Sequence, residues 1–155
     1  MAGHAIFGPP SGDGDLVEGG AHITVNLVPV YRGRLVAFDI TAREARGRWL
    51  PWTILPFGGN PYETASDLAE EWCRGAVADL RLVDVMSFSV ARGSWELAIV
   101  FRAELTEKPP SVRDRIPVTY EPGHLDAIGS FDPVDLERWL RAGPGDVEGG
   151  ARLVF

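Results

Sequence analysis

Residues 49–85 read WLPWTILPFGGNPYETASDLAEEWCRGAVADLRLVDV, and this stretch decides the fold. A strand runs from Trp49 to Leu55-Pro56, Gly58-Gly59 makes a turn, an amphipathic helix follows, and a second strand takes over at Asp79. In the helix, Ala65, Leu68, Ala69, Trp72 and Cys73 recur at i, i+3, i+4, i+7 and i+8, one apolar stripe that faces a core. Glu63, Asp67, Glu70 and Glu71 fall together on the other side, because residues three, four and seven apart share a face. Two readings of these carboxylates stay open. Hard divalent cations take several oxygen ligands, so acids clustered beside a glycine turn suit a metal. A solvated face suits them equally, since each like-charged pair at i,i+4, such as Asp67–Glu71, costs only about 0.2–0.5 kcal/mol. Glu70 is also placed to pair with Arg74, and early carboxylates favour the positive helix N-terminus.

Upstream, His22–Tyr31 alternates, with Ile23, Val25, Leu27 and Tyr31 on one side and Thr24 and Asn26 on the other. This is a strand, and Pro29 marks it as an edge or a bulge near its end. Arg32-Gly33-Arg34 turns the chain into a second strand, Leu35–Ile40, and Thr41–Arg48 is a polar loop. Residues 1–20 hold Gly-Pro-Pro-Ser-Gly-Asp-Gly-Asp and end in Gly19-Gly20; they bury too little to offset their ordering entropy and read as a loose arm. Downstream, Gly75 stops the helix as its C′ residue. Leu80–Val90 is a strand buried in part on both faces. Ala91–Ser94 turns it into a strand that buries Trp95, Leu97, Ile99 and Phe101 and carries Glu96, Arg102 and Glu104 on its other side. Prolines at 109, 110, 117 and 122 make residues 106–128 a long irregular connection. Asp132 then N-caps a short helix, with Pro133 at N1, Asp135 at N3, and Val134, Leu136, Trp139 and Leu140 on its apolar side. Residues 143–155 form a tail or an added strand.

At 155 residues the chain makes one domain with a real core, and 45% hydrophobic and 24% charged residues are ordinary for a soluble globular protein. A net charge of −7 argues against a surface that coats nucleic acid. The single cysteine rules out an internal disulfide, and neither a signal peptide nor a membrane-length apolar run is visible, so the expected location is cytoplasmic and away from membranes. Cys73 lies on the apolar stripe and reads as a core residue rather than a nucleophile. His4, His22 and His124 lack metal-ligand spacing. Trp49 and Trp52 flank the glycine turn, where one could stack on a base, although core packing suits Trp52 better.

The order strand, hairpin, W-x-x-L-P-x-G-G (Trp52 to Gly59), acidic helix, strand resembles a Nudix hydrolase domain over residues 21–142. The resemblance implies an α/β fold, a Nudix-type mixed β-sheet sandwiched between helices. The family box is G-x5-E-x7-R-E-U-x-E-E-x-G-U, with U a bulky aliphatic, and its helical glutamates bind magnesium ions that activate water and screen a pyrophosphate. Counted from Gly59, this chain has Ala65 in place of the loop glutamate and Cys73-Arg74 in place of R-E. Matching Glu63 to the loop glutamate puts Glu71-Trp72 on R-E and Gly75-Ala76 on E-E, which removes the metal site. Matching the helix face puts Ser66-Asp67-Leu68-Ala69-Glu70-Glu71 on R-E-U-x-E-E, with the loop seven residues shorter (position 66 instead of 73 for the box arginine). The second register is favoured, because loop lengths vary more freely than a helix face.

In that register the resemblance makes Asp67, Glu70 and Glu71 ligands for Mg or Mn, with Glu70 and Glu71 the catalytic acids and Gly58 and Gly59 as cofactor-binding residues. A later acid that assists the metal in the family has Glu96, Glu104 and Glu107 as candidates. The implied function is binding of a nucleotide-like small molecule, a nucleoside diphosphate linked to another group, with weak or lost metal-dependent pyrophosphohydrolase activity. Two alternatives stand beside it: an active Mg/Mn-dependent hydrolase with an unusual metal site, and a regulatory or protein–protein interaction module on the same scaffold. No nucleic acid or membrane is expected as a partner, and a homodimer is left open.

Overall fold

The structure, a computed structural model, describes residues 21–89, 95–145 and 151–154. The arm at 1–20 and the Ala91–Ser94 turn lie outside these residues. The elements run β1 (Ala21–Tyr31), β2 (Arg34–Ile40), β3 (Gly47–Trp49), β4 (Trp52–Ile54), α1 (Pro61–Cys73), β5 (Val77–Ser89), β6 (Trp95–Leu105), β7 (Arg115–Tyr120), α2 (Pro133–Arg141) and β8 (Ala151–Val154), with a 3-10 turn at Arg43–Ala45.

β1 is the spine of a mixed sheet. It runs parallel to β6 from Ala21↔Trp95 to Val30↔Glu104. On its other side it pairs antiparallel first with β4 at Thr24–Asn26, then with β2 at Val30 and Tyr31. β5 extends the sheet antiparallel to β6 and parallel to β8, while β7 and β3 pair antiparallel with β2. The β1–β2 link is Arg32 and Gly33, with φ of 50° and 74°, the two-residue hairpin geometry whose twist matches the strands. Pro29 therefore does not mark an edge, since β1 is interior. The Leu27 N–H points away from β6, to the Pro51 carbonyl at 2.9 Å, and residue 29 faces the same way by alternation. Its missing donor falls in the seam where the partner of β1 changes from β4 to β2, so no ladder bond is lost.

Three further segments differ from their sequence reading. The Thr41–Arg48 loop contains the 3-10 turn and the start of β3. The single strand expected from Trp49 to Leu55 breaks at Leu50-Pro51 into β3 and β4, which pair with different neighbours. Residues 106–128 contain β7, which among the described residues pairs only with β2, and an edge strand tolerates Pro117 because its missing N–H is not needed inside a ladder.

Each face of the sheet is covered by one helix. Ala65, Leu68, Ala69, Trp72 and Cys73 of α1 are all buried against Val25, Leu27, Phe38, Phe101 and Ala103, as the helical stripe predicts. Leu136, Trp139 and Leu140 of α2 pack with Val28, Val30, Leu35, Met86 and Val100 on the opposite face. Phe131 stacks edge-on against Trp139 at 5.0 Å and closes that side. The Asp132 cap is in place, accepting from the Asp135 N–H at 2.9 Å. Val134, expected inside, is 75% exposed, whereas Asp135 is buried. The stripe through 136, 139 and 140 places position 135, not 134, on the inner side, and Asp135 is held there by Arg138 at 3.0 Å.

β6 presents its faces the other way from the reading above. Glu96, Ala98 and Val100 are fully buried towards α2, while Trp95 is 39% exposed and Leu97 and Ile99 are half-buried. From Phe101 onward the odd positions lie beneath α1 and are buried as expected. Near the C-terminus of α2, Arg81 and Arg102 sit directly opposite each other on β5 and β6. Arg81 donates to the Ala142 carbonyl at 2.5 Å and Arg102 to Leu140 at 3.2 Å, so the negative helix end offsets their mutual repulsion.

Candidate functional site

α1 carries the candidate site, and local chemistry fixes both of its ends. The Gly59 N–H closes a turn onto the Pro56 carbonyl at 2.8 Å. A Cβ on Gly59 would sit 2.9 Å from that same oxygen, so the close approach requires glycine. Asn60 caps the helix, accepting from the Tyr62 and Glu63 N–H groups at 2.9 and 3.2 Å, with Pro61 at N1. Replacing Asn60 by Ala should cost about 1 kcal/mol and lower the unfolding midpoint by about 2–4 °C, read by calorimetry. At the other end Arg74 and Gly75 both adopt left-handed φ, 59° and 74°, and Gly75 is the C′ stop that the sequence suggests.

The four carboxylates Glu63, Asp67, Glu70 and Glu71 are exposed. They do not converge. The Glu70 carboxylate lies over Gly75, where a Cβ would meet its Oε2 at 2.7 Å, instead of reaching Arg74. Glu71 turns to the opposite flank, where Arg115 at the start of β7 places Nη2 3.9 Å from its Oε1 and donates from Nη1 to its carbonyl at 3.3 Å. That guanidinium lies 3.9 Å above the ring centroid of the buried Trp72. Burial pushes the Arg115 pKa down, and the Glu71 charge opposes that shift. Among the described residues no group of three His, Cys, Asp or Glu side chains is arranged to hold a metal ion. The donor set therefore does not fit a divalent ion as it stands. Gly58 and Gly59 stand before the first turn, about 15 Å along the helix axis from Glu70.

A cavity of about 310 Å³ opens between the Glu70 flank of α1 and the start of β5. Tyr62, Ser66, Glu70, Asp79 and Leu80 line it. Tyr62 is 54% exposed and meets Phe101 edge-on at 6.2 Å. Asp79 forms an ion pair with Arg81. Ser66, which replaces the box arginine in the favoured register, thus faces the same space as Glu70.

The later acids do not join this site. Glu96 lies on the α2 face of the sheet, fully buried, so the sheet separates it from α1. Asn26 donates to Thr24 Oγ1 at 2.9 Å, and Thr24 donates to Glu96 Oε2 at 3.0 Å, while Glu96 Oε1 has no partner among the described residues. Burial pushes the Glu96 carboxyl up to about 8, against the Thr24 hydrogen bond. Glu104 pairs with Arg102 at 2.7 Å, and Glu107 is exposed beyond the end of β6. Burial pushes the Cys73 thiol up to about 12, which keeps it protonated and inert, in line with a core role. Trp49 and Trp52 are both buried, so neither offers a stacking face.

The sequence reading missed Arg115 and Tyr62. Arg115 was hidden because residues 106–128 look irregular, although Ile116, Val118 and Tyr120 alternate at a strand period. Tyr62 continues the apolar stripe of α1, three residues before Ala65, so by periodicity it passes for one more core residue although it is 54% exposed.

No protein-family model and no curated protein sequence matches the chain. Solved structures do. A MutT NUDIX hydrolase from Burkholderia pseudomallei is similar with TM-score 0.60 and 22% identity, covering 76% of this chain and 97% of its own. A NUDIX hydrolase from Nitrosomonas europaea has TM-score 0.58 and 14% identity over 86% of this chain and 78% of that one. An ADP-ribose pyrophosphatase from Streptococcus suis has TM-score 0.58 and 11% identity over 86% and 98%. With a mixed sheet between two helices and these neighbours, the chain has the Nudix fold. Among the described residues no helix is long and apolar enough to cross a membrane.

Proposed function

We propose that this chain is a Nudix-fold binding protein for a nucleotide-like ligand, a nucleoside diphosphate linked to another group, with weak or lost metal-dependent pyrophosphate hydrolysis. The observation that carries the reading is the divergence of the α1 carboxylates, Glu70 towards Gly75 and Glu71 towards Arg115. Asp67, Glu70 and Glu71 remain the residues that would meet Mg or Mn, and side chains that point apart hold such an ion loosely. Asp67 also reaches one methylene less far than the glutamate of the family box. The catalytic role that the resemblance gives to Glu70 and Glu71 is correspondingly weakened.

The cavity beside α1 favours the nucleoside half of the ligand. Carboxylates accept hydrogen bonds from ribose hydroxyls, whereas Glu70 and Asp79 would repel a bare pyrophosphate. Tyr62 supplies an exposed ring face for a base, worth about 1–3 kcal/mol in stacking. ADP-ribose is the natural probe, because a structure with this fold is called an ADP-ribose pyrophosphatase. Calorimetric titration with ADP-ribose should show binding, and Tyr62→Ala should weaken it by about 10-fold or more. No heat of binding with ADP-ribose or any nucleoside diphosphate derivative tested would overturn the reading and leave the protein–protein module in its place.

A further inference from the structure

We propose that Arg115 is a built-in cation for the C-terminal turn of α1, holding Glu71 and so withholding it from a divalent ion. This rests on the reading of α1 as a face with little metal affinity, and it names the residue responsible. Three contacts converge on the guanidinium: the face of Trp72 at 3.9 Å, the Glu71 carbonyl at 3.3 Å and the Glu71 carboxylate at 3.9 Å. The Glu71 carbonyl belongs to the last turn of α1, where unpaired carbonyls give the helix end a partial negative charge. A planar cation packed on an aromatic ring is favoured there on two counts.

Arg115 is delivered rigidly. Its backbone bonds Val112 in both directions, at 3.0 and 3.1 Å, and the Asp114 carbonyl accepts from the Thr41 N–H at 3.1 Å. Asp114 has φ of 64°, the left-handed residue of a tight turn that aims β7 along β2. The charged group therefore does not depend on a floppy loop. A divalent ion approaching Asp67, Glu70 and Glu71 meets both a committed Glu71 and the repulsion of a fixed positive charge.

The test compares unfolding midpoints of the full chain with and without millimolar MnCl2, for wild type, Arg115→Met, Arg115→Lys and the double variant Arg115→Met/Glu71→Gln. Met keeps the stem packed on Trp72 while removing the charge. Wild type should not respond to Mn²⁺. Arg115→Met should melt lower without metal and gain about 3 °C or more with it, because a ligand bound only to the folded state raises the midpoint. Adding Glu71→Gln should abolish that gain. Arg115→Lys, which lacks the planar stack and the forked donors, should gain less than Arg115→Met, and it carries the test if the Met variant does not fold. A flat response in both single variants, or a wild-type response as large as theirs, would overturn the proposal. Failure of ADP-ribose to bind would sink the ligand reading without touching this one.

Discussion

Raising the pH from about 5 to about 9 should destabilise the wild-type protein by on the order of 4 kcal/mol, and Glu96→Gln should erase most of that loss. The Glu96 side chain is fully buried, with one oxygen on Thr24 and the other unpartnered among the described residues, and its carboxyl is raised to about 8 from an ordinary value of 4.5. An acid with a raised folded pKa binds more protons folded than unfolded across that window. Its contribution is therefore complete below about pH 4.5 and is lost as the pH climbs through about 8. Gln mimics the protonated acid, accepting from Thr24 and bearing no charge. The variant should match wild type near pH 5 and exceed it near pH 9. Urea unfolding at several pH values reads this directly, and a wild-type profile that is flat or rises with pH would refute it.

Asp84→Ala should be the most damaging single change away from α1, at about 3–5 kcal/mol, or about 10 °C in the unfolding midpoint. Asp84 is fully buried on β5. Its Oδ2 accepts from the Trp139 indole N–H at 3.0 Å and from Arg138 at 2.7 Å, and its Oδ1 accepts from the Val85 N–H at 2.8 Å. The carboxylate thus ties α2 to the sheet. Removing it strands the indole donor and takes a negative charge from beside a partly buried guanidinium. A loss below 1 kcal/mol, measured by thermal or denaturant unfolding, would show that α2 is held by its apolar face alone.

Helix positions were legible because a period of 3.6 leaves little choice of face. Ala65, Leu68, Ala69, Trp72 and Cys73 could only be buried together, and Asp132-Pro133 could only begin a helix. The strands gave less. A period of two separates the faces of β6 but does not say which one is covered. Trp95, Leu97 and Ile99 look like the inner face by hydropathy. Both faces of this sheet carry a helix, and near the start of β6 it is the Glu96, Ala98, Val100 face, towards α2, that is buried more deeply. Pro29 and Pro117 misled for a related reason, since proline reports a missing donor, and only tertiary pairing says whether that donor was needed.

The candidate site was legible as residues and not as geometry. The acid-x-x-acid-acid spacing of Asp67, Glu70 and Glu71 puts three carboxylates on one side of α1, and they are exposed there. Where each one points depends on neighbours distant in sequence: Arg115 lies 44 residues from Glu71 and acts across the helix end. No periodicity within α1 carries that information.

The most direct test of the account is to incubate the 155-residue chain with ADP-ribose and millimolar MnCl2, and to follow AMP formation beside calorimetric binding. The divergent carboxylates of α1 predict that ADP-ribose binds while AMP forms slowly or not at all, with little change in Glu71→Gln. Rapid Mn²⁺-dependent AMP release that disappears in Glu71→Gln would contradict it, and would make this chain an active hydrolase whose acids gather around the ion only when it binds.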